Sequence, residues 1–149
     1  MCTYCGCESI EVIGRFMAEH TDIINAAGVL RRAAAGGERA QVLDAVGKVE
    51  TLLHPHTRNE EVGLFSVMRR QAEFVDHIDS LCAEHSTLDE QLEGIRASDP
   101  VDMALVDRFV HDLRHHIERE DNGLFPASAI ALDGPDWGEV DELTPPPSS

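Results

Sequence analysis

The sequence predicts an all-α fold, an antiparallel up-down-up-down four-helix bundle. Three observations carry this reading. Four long stretches place apolar residues at helical spacing. No stretch alternates apolar and polar residues as a half-buried strand would. The breaks between the stretches are short, so consecutive helices are expected to be antiparallel neighbours.

A short Cys-rich N-terminal segment, residues 1–9, comes first and carries Cys2, Cys5 and Cys7. The bundle is expected over residues 10–131. Its first helix runs from Ile10 to Ala35, with Ile13, Phe16, Met17, Ile23, Ile24, Ala27 and Leu30 on one stripe, and Gly36-Gly37 stops it. The second runs from Glu38 to Met68 on Val42, Val46, Val49, Leu52, Leu53, Leu64 and Val67. Pro55 removes a backbone donor and crowds the preceding turn, but the stripe continues in phase across it, so one helix is expected. The third runs from Ala72 to Ala97 on Phe74, Ile78, Leu81, Leu88, Leu92 and Ile95. Asp99 is the expected N-cap of the fourth, with Pro100 at its first helical position. That helix runs to Ala131 on Val106, Phe109, Val110, Leu113, Leu124 and Phe125. Residues 132–149 are acidic and Pro-rich and read as a C-terminal tail outside the bundle.

Composition removes several function classes. The 149 residues suit one domain, and 42% hydrophobic content can build a core. Acidic residues number 28 against 12 basic, a net charge of −16, which argues against nucleic acid and anionic membrane as partners. No stretch approaches the roughly 20 apolar residues that span a bilayer. The start lacks the basic and apolar regions of a signal peptide. The cysteines crowd together instead of spreading as in a disulfide scaffold, so the cytoplasm is the expected compartment. Eight histidines are a surplus for this length.

The chain repeats itself. Ala18-Glu19-His20 returns as Ala83-Glu84-His85. The stretch from His56 through Glu60-Glu61 to Gly63-Leu64-Phe65 returns as His116 through Glu120-Asp121 to Gly123-Leu124-Phe125. Each half is a helical hairpin offering one lone His and then His-x-x-x-Glu. His20, His56, His85 and His116 all fall within the apolar stripes, and Glu60 and Glu120 lie one turn beyond their histidines on the same face. Counted from their loops at 1.5 Å per residue, the paired positions reach similar heights. Two buried carboxylates need partners. Four His and two Glu suit two adjacent transition metals with bridging carboxylates, favouring iron, zinc or manganese over calcium or magnesium.

On these motifs the chain resembles the hemerythrin-like family of HHE cation-binding domains over about Ile10 to Ala131. The resemblance implies a non-haem di-iron centre with His20, His56, Glu60, His85, His116 and Glu120 as ligands, and Glu60 and Glu120 as bridges. Asp121 competes with Glu120, because His116 to Asp121 also matches the spacing in the oxygen-carrying members. Those members add a second His one turn after the third-helix His, where this chain has Asp89. The lost imidazole leaves more open coordination, which suits a small diatomic or peroxide ligand: oxygen, peroxide or nitric oxide. Any activity would be metal-centred, such as peroxide breakdown; an iron or redox sensor without turnover is the alternative, and a structural zinc protein the third. No protein partner is assigned.

Other residues carry weaker expectations. His77 is a candidate fifth imidazole. His111 and His115 are expected on an outward face with Glu118, His54 to pair with Arg58 or Glu61, and Cys82 in the core. Gly63 and Gly123 are expected to permit close helix approach, and Phe65 and Phe125 to close the site. Cys2-x-x-Cys5-Gly-Cys7 resembles a knuckle for an additional Zn or Fe, with a fourth ligand from Glu8, Cys82 or another subunit.

Overall fold

A computed structural model describes residues 10–147, and no strand occurs among them. The helices are α1 (Glu11–Gly36), α2 (Arg39–Glu60), α3 (Ser66–Met68), α4 (Val75–Ala97), α5 (Met103–Arg119), α6 (Phe125–Ala131) and α7 (Gly134–Leu143). Two π-helical turns, Glu61–Phe65 and Glu120–Leu124, join α2 to α3 and α5 to α6, and a 3-10 turn, Ala72–Phe74, leads into α4. None of the helices among the described residues is long and apolar enough to cross a membrane.

The α1 stop is the one foreseen. Gly37 adopts φ 77° and its N–H bonds the Ala34 carbonyl, a left-handed cap that costs glycine no Cβ clash. Helix α2 passes through Pro55 without a break. The four long helices close a ring: α1 lies against α2 and α5, and α4 lies against the same two.

Inside the ring the apolar core forms two clusters. Ile23, Leu30, Val46, Leu53, Leu92 and Phe109 belong to one. Ile13, Phe16, Leu64, Phe65, Leu81 and Phe125 belong to the other. The one buried histidine of each long helix falls between residues of the two clusters, so the polar layer is walled by hydrocarbon above and below.

Three expectations are corrected. The fourth long helix starts at Met103, and its cap is Asp102, whose side chain accepts from the Leu105 N–H at 3.2 Å. Asp102 therefore takes the capping role expected of Asp99, with Pro100 lying ahead of the helix. Leu52 is 39% exposed, off the buried face of α2. The stretch after Ala131 is not an appendage throughout. Asp133 and Asp136 form a reciprocal capping box that starts α7, and Leu132, Val140 and Thr144 are buried.

Candidate metal centre

Each long helix delivers one imidazole to the layer between the two clusters: His20 from α1, His56 from α2, His85 from α4 and His116 from α5. Glu60 ends α2, and Glu120 opens the second π turn. All six are buried, and both carboxylates are fully so at 0% exposure. Their ligand atoms form two groups, His20, His56, Glu60 and Glu120, then Glu60, His85, His116 and Glu120, each with all atoms within 4.8 Å of one another. The structure thus brings together all six residues expected from the sequence.

The two carboxylates divide their oxygens between the groups. Glu60 Oε2 faces His56 Nε2 at 3.4 Å and His20 Nε2 at 3.8 Å, while Oε1 faces His85 Nε2 at 3.3 Å. Glu120 does the reverse: Oε1 faces His20 Nε2 at 2.9 Å, while Oε2 faces His116 Nε2 at 3.5 Å and His85 Nε2 at 3.8 Å. Most of these separations exceed ordinary hydrogen-bond lengths, and the one that does not, His20 to Glu120, lacks hydrogen-bond direction. All four carboxylate oxygens, with Nε2 of His20 and His56, are buried without a hydrogen-bond partner. The remaining two Nε2 atoms, of His85 and His116, lie 3.1 Å apart. Orphaned charge in hydrocarbon is very costly. Two donors at right angles around one ion, each about 2.1 Å from it, stand roughly 3 Å apart. The donor set and its spacing fit a pair of cations.

The other ring nitrogens are all held. Nδ1 of His56 meets Glu19 Oε1 at 2.7 Å, and Nδ1 of His116 meets Glu84 Oε1 at 2.7 Å. Nδ1 of His85 meets Glu61 Oε2 at 2.7 Å, and Nδ1 of His20 meets Asp121 Oδ1 at 2.8 Å. A carboxylate accepting from Nδ1–H leaves Nε2 as the inward nitrogen, which becomes a metal donor once its own proton is displaced. Phe125 stacks on the His20 ring at 5.7 Å and Phe65 on the His85 ring at 5.7 Å, so both phenyls wall the centre.

Residues 11–128 match the family model of the hemerythrin HHE cation binding domain. The chain belongs to this family. No curated protein and no solved structure matches it.

Within this hemerythrin domain, sequence reasoning missed the four outer carboxylates. Their signal was present: Glu19 and Glu84 precede the lone histidines, and Glu61 and Asp121 follow the buried glutamates. Asp121 did not replace Glu120 at the centre. It turns outward to His20 Nδ1, while Glu120 faces all the Nε2 atoms but that of His56.

The carboxylates also set the titration of the rings. Burial alone pushes His20 down, but Asp121 and Glu120 outweigh it and raise it to about 10. Burial likewise opposes, and Glu60 and Glu19 overcome it, for His56 at about 9. Burial is again overcome at His85, raised to about 11 by Glu120 and Glu60. Burial pushes Glu120 up, yet His116, His20 and His85 hold it well below 4.5. The protein without metal thus stores protons where cations would sit.

The remaining expectations divide. His77 stays outside both ligand groups and accepts from Arg119 Nη2 at 3.3 Å. His54 pairs with Asp89 at 3.1 Å, not with Arg58 or Glu61. That contact also turns Asp89 away from the centre. His111 and His115 are exposed as expected. Cys82 is half-buried against the second apolar cluster. A Cβ on Gly63 would overlap Thr144 Oγ1, so close approach holds there, but the approach is from the segment after α7; Gly123 has nothing within 4 Å. The Cys2, Cys5 and Cys7 knuckle lies outside the described residues.

Proposed function

We propose that this chain is a hemerythrin-like non-haem di-iron protein that binds or reacts with oxygen, peroxide or nitric oxide inside its four-helix bundle. The observation that carries the reading is the division of the Glu60 and Glu120 oxygens between two groups of buried donors. His20 and His56 would hold one iron, His85 and His116 the other, and both glutamates would bridge. Charge supports this count. Glu60, Glu120 and the four outer carboxylates bring six negative charges, Arg15 and Arg119 bring two positive ones, and two divalent cations offset the remainder.

Bound iron supplies open coordination positions and one-electron chemistry for a small ligand. The chain does the rest. Two imidazoles and two shared carboxylates per ion leave room for that ligand. Glu19, Glu61, Glu84 and Asp121 hold the imidazoles in their ligating tautomer. Phe65, Phe125 and the two apolar clusters exclude water. A second reading, an iron or redox sensor without turnover, is favoured by the contact between the C-terminal segment and Arg15.

The test is metal content with absorption after anaerobic iron loading and exposure to air. About two irons per chain with oxo-iron bands support the proposal. Zinc alone, with no colour after iron loading, rejects both readings. Peroxide turnover lost in His116→Ala would select catalysis over sensing.

A further inference from the structure

The two halves of the centre differ in what holds the second oxygen of Glu19 and of Glu84. Glu84 Oε2 pairs with Arg119 Nη1, and the same nitrogen donates to Ser80 Oγ at 3.1 Å. These contacts stay within α4 and α5. Glu19 Oε2 accepts from Arg15 Nε at 3.1 Å, one turn earlier on α1. Arg15 Nη1 then donates to the Pro145 carbonyl at 2.7 Å, beyond the end of α7. Arg15 Nη2 is buried without a partner, so the guanidinium is anchored by Glu19 and Pro145. A continuous path runs from Pro145 through Arg15 and Glu19 to Nδ1 of His56, whose Nε2 faces the centre.

The segment at the outer end of this path packs Val140 into the second apolar cluster and Trp137 against it. Thr144 sits over Gly63, in the π turn that follows Glu60. Arg70 Nη1 reaches Glu139 Oε1 at 2.7 Å on the surface. Pro147 lies at the edge of a groove of about 270 Å³ between α1 and α2, lined also by Arg15, Glu19, His56 and Asn59. Residues 134–147 therefore form a strap across the first half of the centre, with no counterpart on the second half among the described residues.

We propose that Arg15 is a positioning residue that couples docking of this strap to the His56 imidazole. A filled centre then holds the strap, and a docked strap slows loss of metal from the first ligand group. The coupling is reciprocal, as any linkage between two equilibria must be. It rests on the metal-centre reading above.

The test uses the full chain and Zn²⁺ as a colourless, redox-silent probe. Three quantities are read: zinc per chain, zinc release to a chelator, and amide exchange over residues 134–147 with and without zinc. Emission from Trp137, the single tryptophan and on α7, follows the same segment. In the unmodified chain zinc should slow exchange in the strap. In Arg15→Ala zinc should still bind but leave strap exchange unchanged. Arg70→Ala weakens docking far from the ligands; it should speed zinc release by up to roughly fivefold, the ceiling for an exposed ion pair, yet add nothing in the Arg15→Ala background. Arg15→Met keeps the side-chain stem without a donor and should match Arg15→Ala; retained coupling there would assign the effect to packing and overturn the proposal. Equal effects of Arg70→Ala in both backgrounds, or strap exchange indifferent to zinc in the unmodified chain, overturn the coupling while zinc binding stands. A chain that holds no zinc removes the metal-centre reading and the coupling together.

Discussion

Glu61 Oε2 lies 2.7 Å from Nδ1 of His85, across the boundary between the two repeats of the chain. The reverse contact, Asp121 to His20 at 2.8 Å, crosses the same boundary the other way. Each hairpin supplies a carboxylate that aims an imidazole of the other.

Glu61→Gln and Asp121→Asn should each weaken metal affinity by about 10- to 100-fold, the usual cost of losing an outer partner of a ligating histidine. Glu61 is 42% exposed against 19% for Asp121, so its loss should fall at the lower end. Chelator competition on folded, helical variants measures both. Unchanged affinity in both variants would show that these contacts do not tune the centre.

Glu120→Gln should lose metal from both ligand groups, because one oxygen of Glu120 faces each. Asp121→Asn should keep two ions per chain when metal is in excess. Metal analysis after desalting decides. The opposite pattern would put Asp121 at the centre and Glu120 outside it.

The metal-free protein should be most stable between about pH 4.5 and 6.5. His20, His56 and His85 are raised to about 10, 9 and 11 from 6.5. Their contribution is complete below 6.5 and is lost as pH rises through their folded values. Glu120 is held below 4.5, so its contribution is complete above that value and lost in acid. Metal must displace these ring protons, so the rise in thermal midpoint on loading should grow from about pH 5 to about pH 8. A rise that is flat or shrinks over that range contradicts the titration order.

Gly63→Ala should destabilise the fold by about 1–3 kcal/mol, the usual cost of overpacking, because the new Cβ meets Thr144. Gly123→Ala should be neutral or slightly stabilising, since nothing lies within 4 Å and alanine favours helix. Thermal unfolding of the two variants separates the equivalent positions of the repeat. Equal shifts would mean that Thr144 does not pack on Gly63.

The four long helices and all six buried ligand candidates were legible because helical periodicity and an internal repeat report the same faces independently. His20 and Glu120 fall inside apolar stripes, where a polar residue needs a reason. The outer carboxylates were harder to read. Glu19 and Glu61 lie off the stripe, and adjacent residues on a helix point about 100° apart, so their roles depend on which helix packs beside them. The C-terminal helix was hidden by its composition. Gly134-Pro135 looks like a linker, yet Pro is well suited to the first turn of a helix that Asp133 caps. Residues in contact across 130 positions, such as Arg15 and Pro145, leave no local trace in sequence.

The crossed pattern has a consequence for how the two hairpins depend on one another. Each donor group takes two imidazoles from one hairpin and a glutamate from each, and each hairpin steadies a ring of its neighbour. Severed near Gln71, the chain would yield two fragments, neither able to complete a site alone. Cations filling both groups would act as rivets between them, so unfolding and demetallation should occur as a single event.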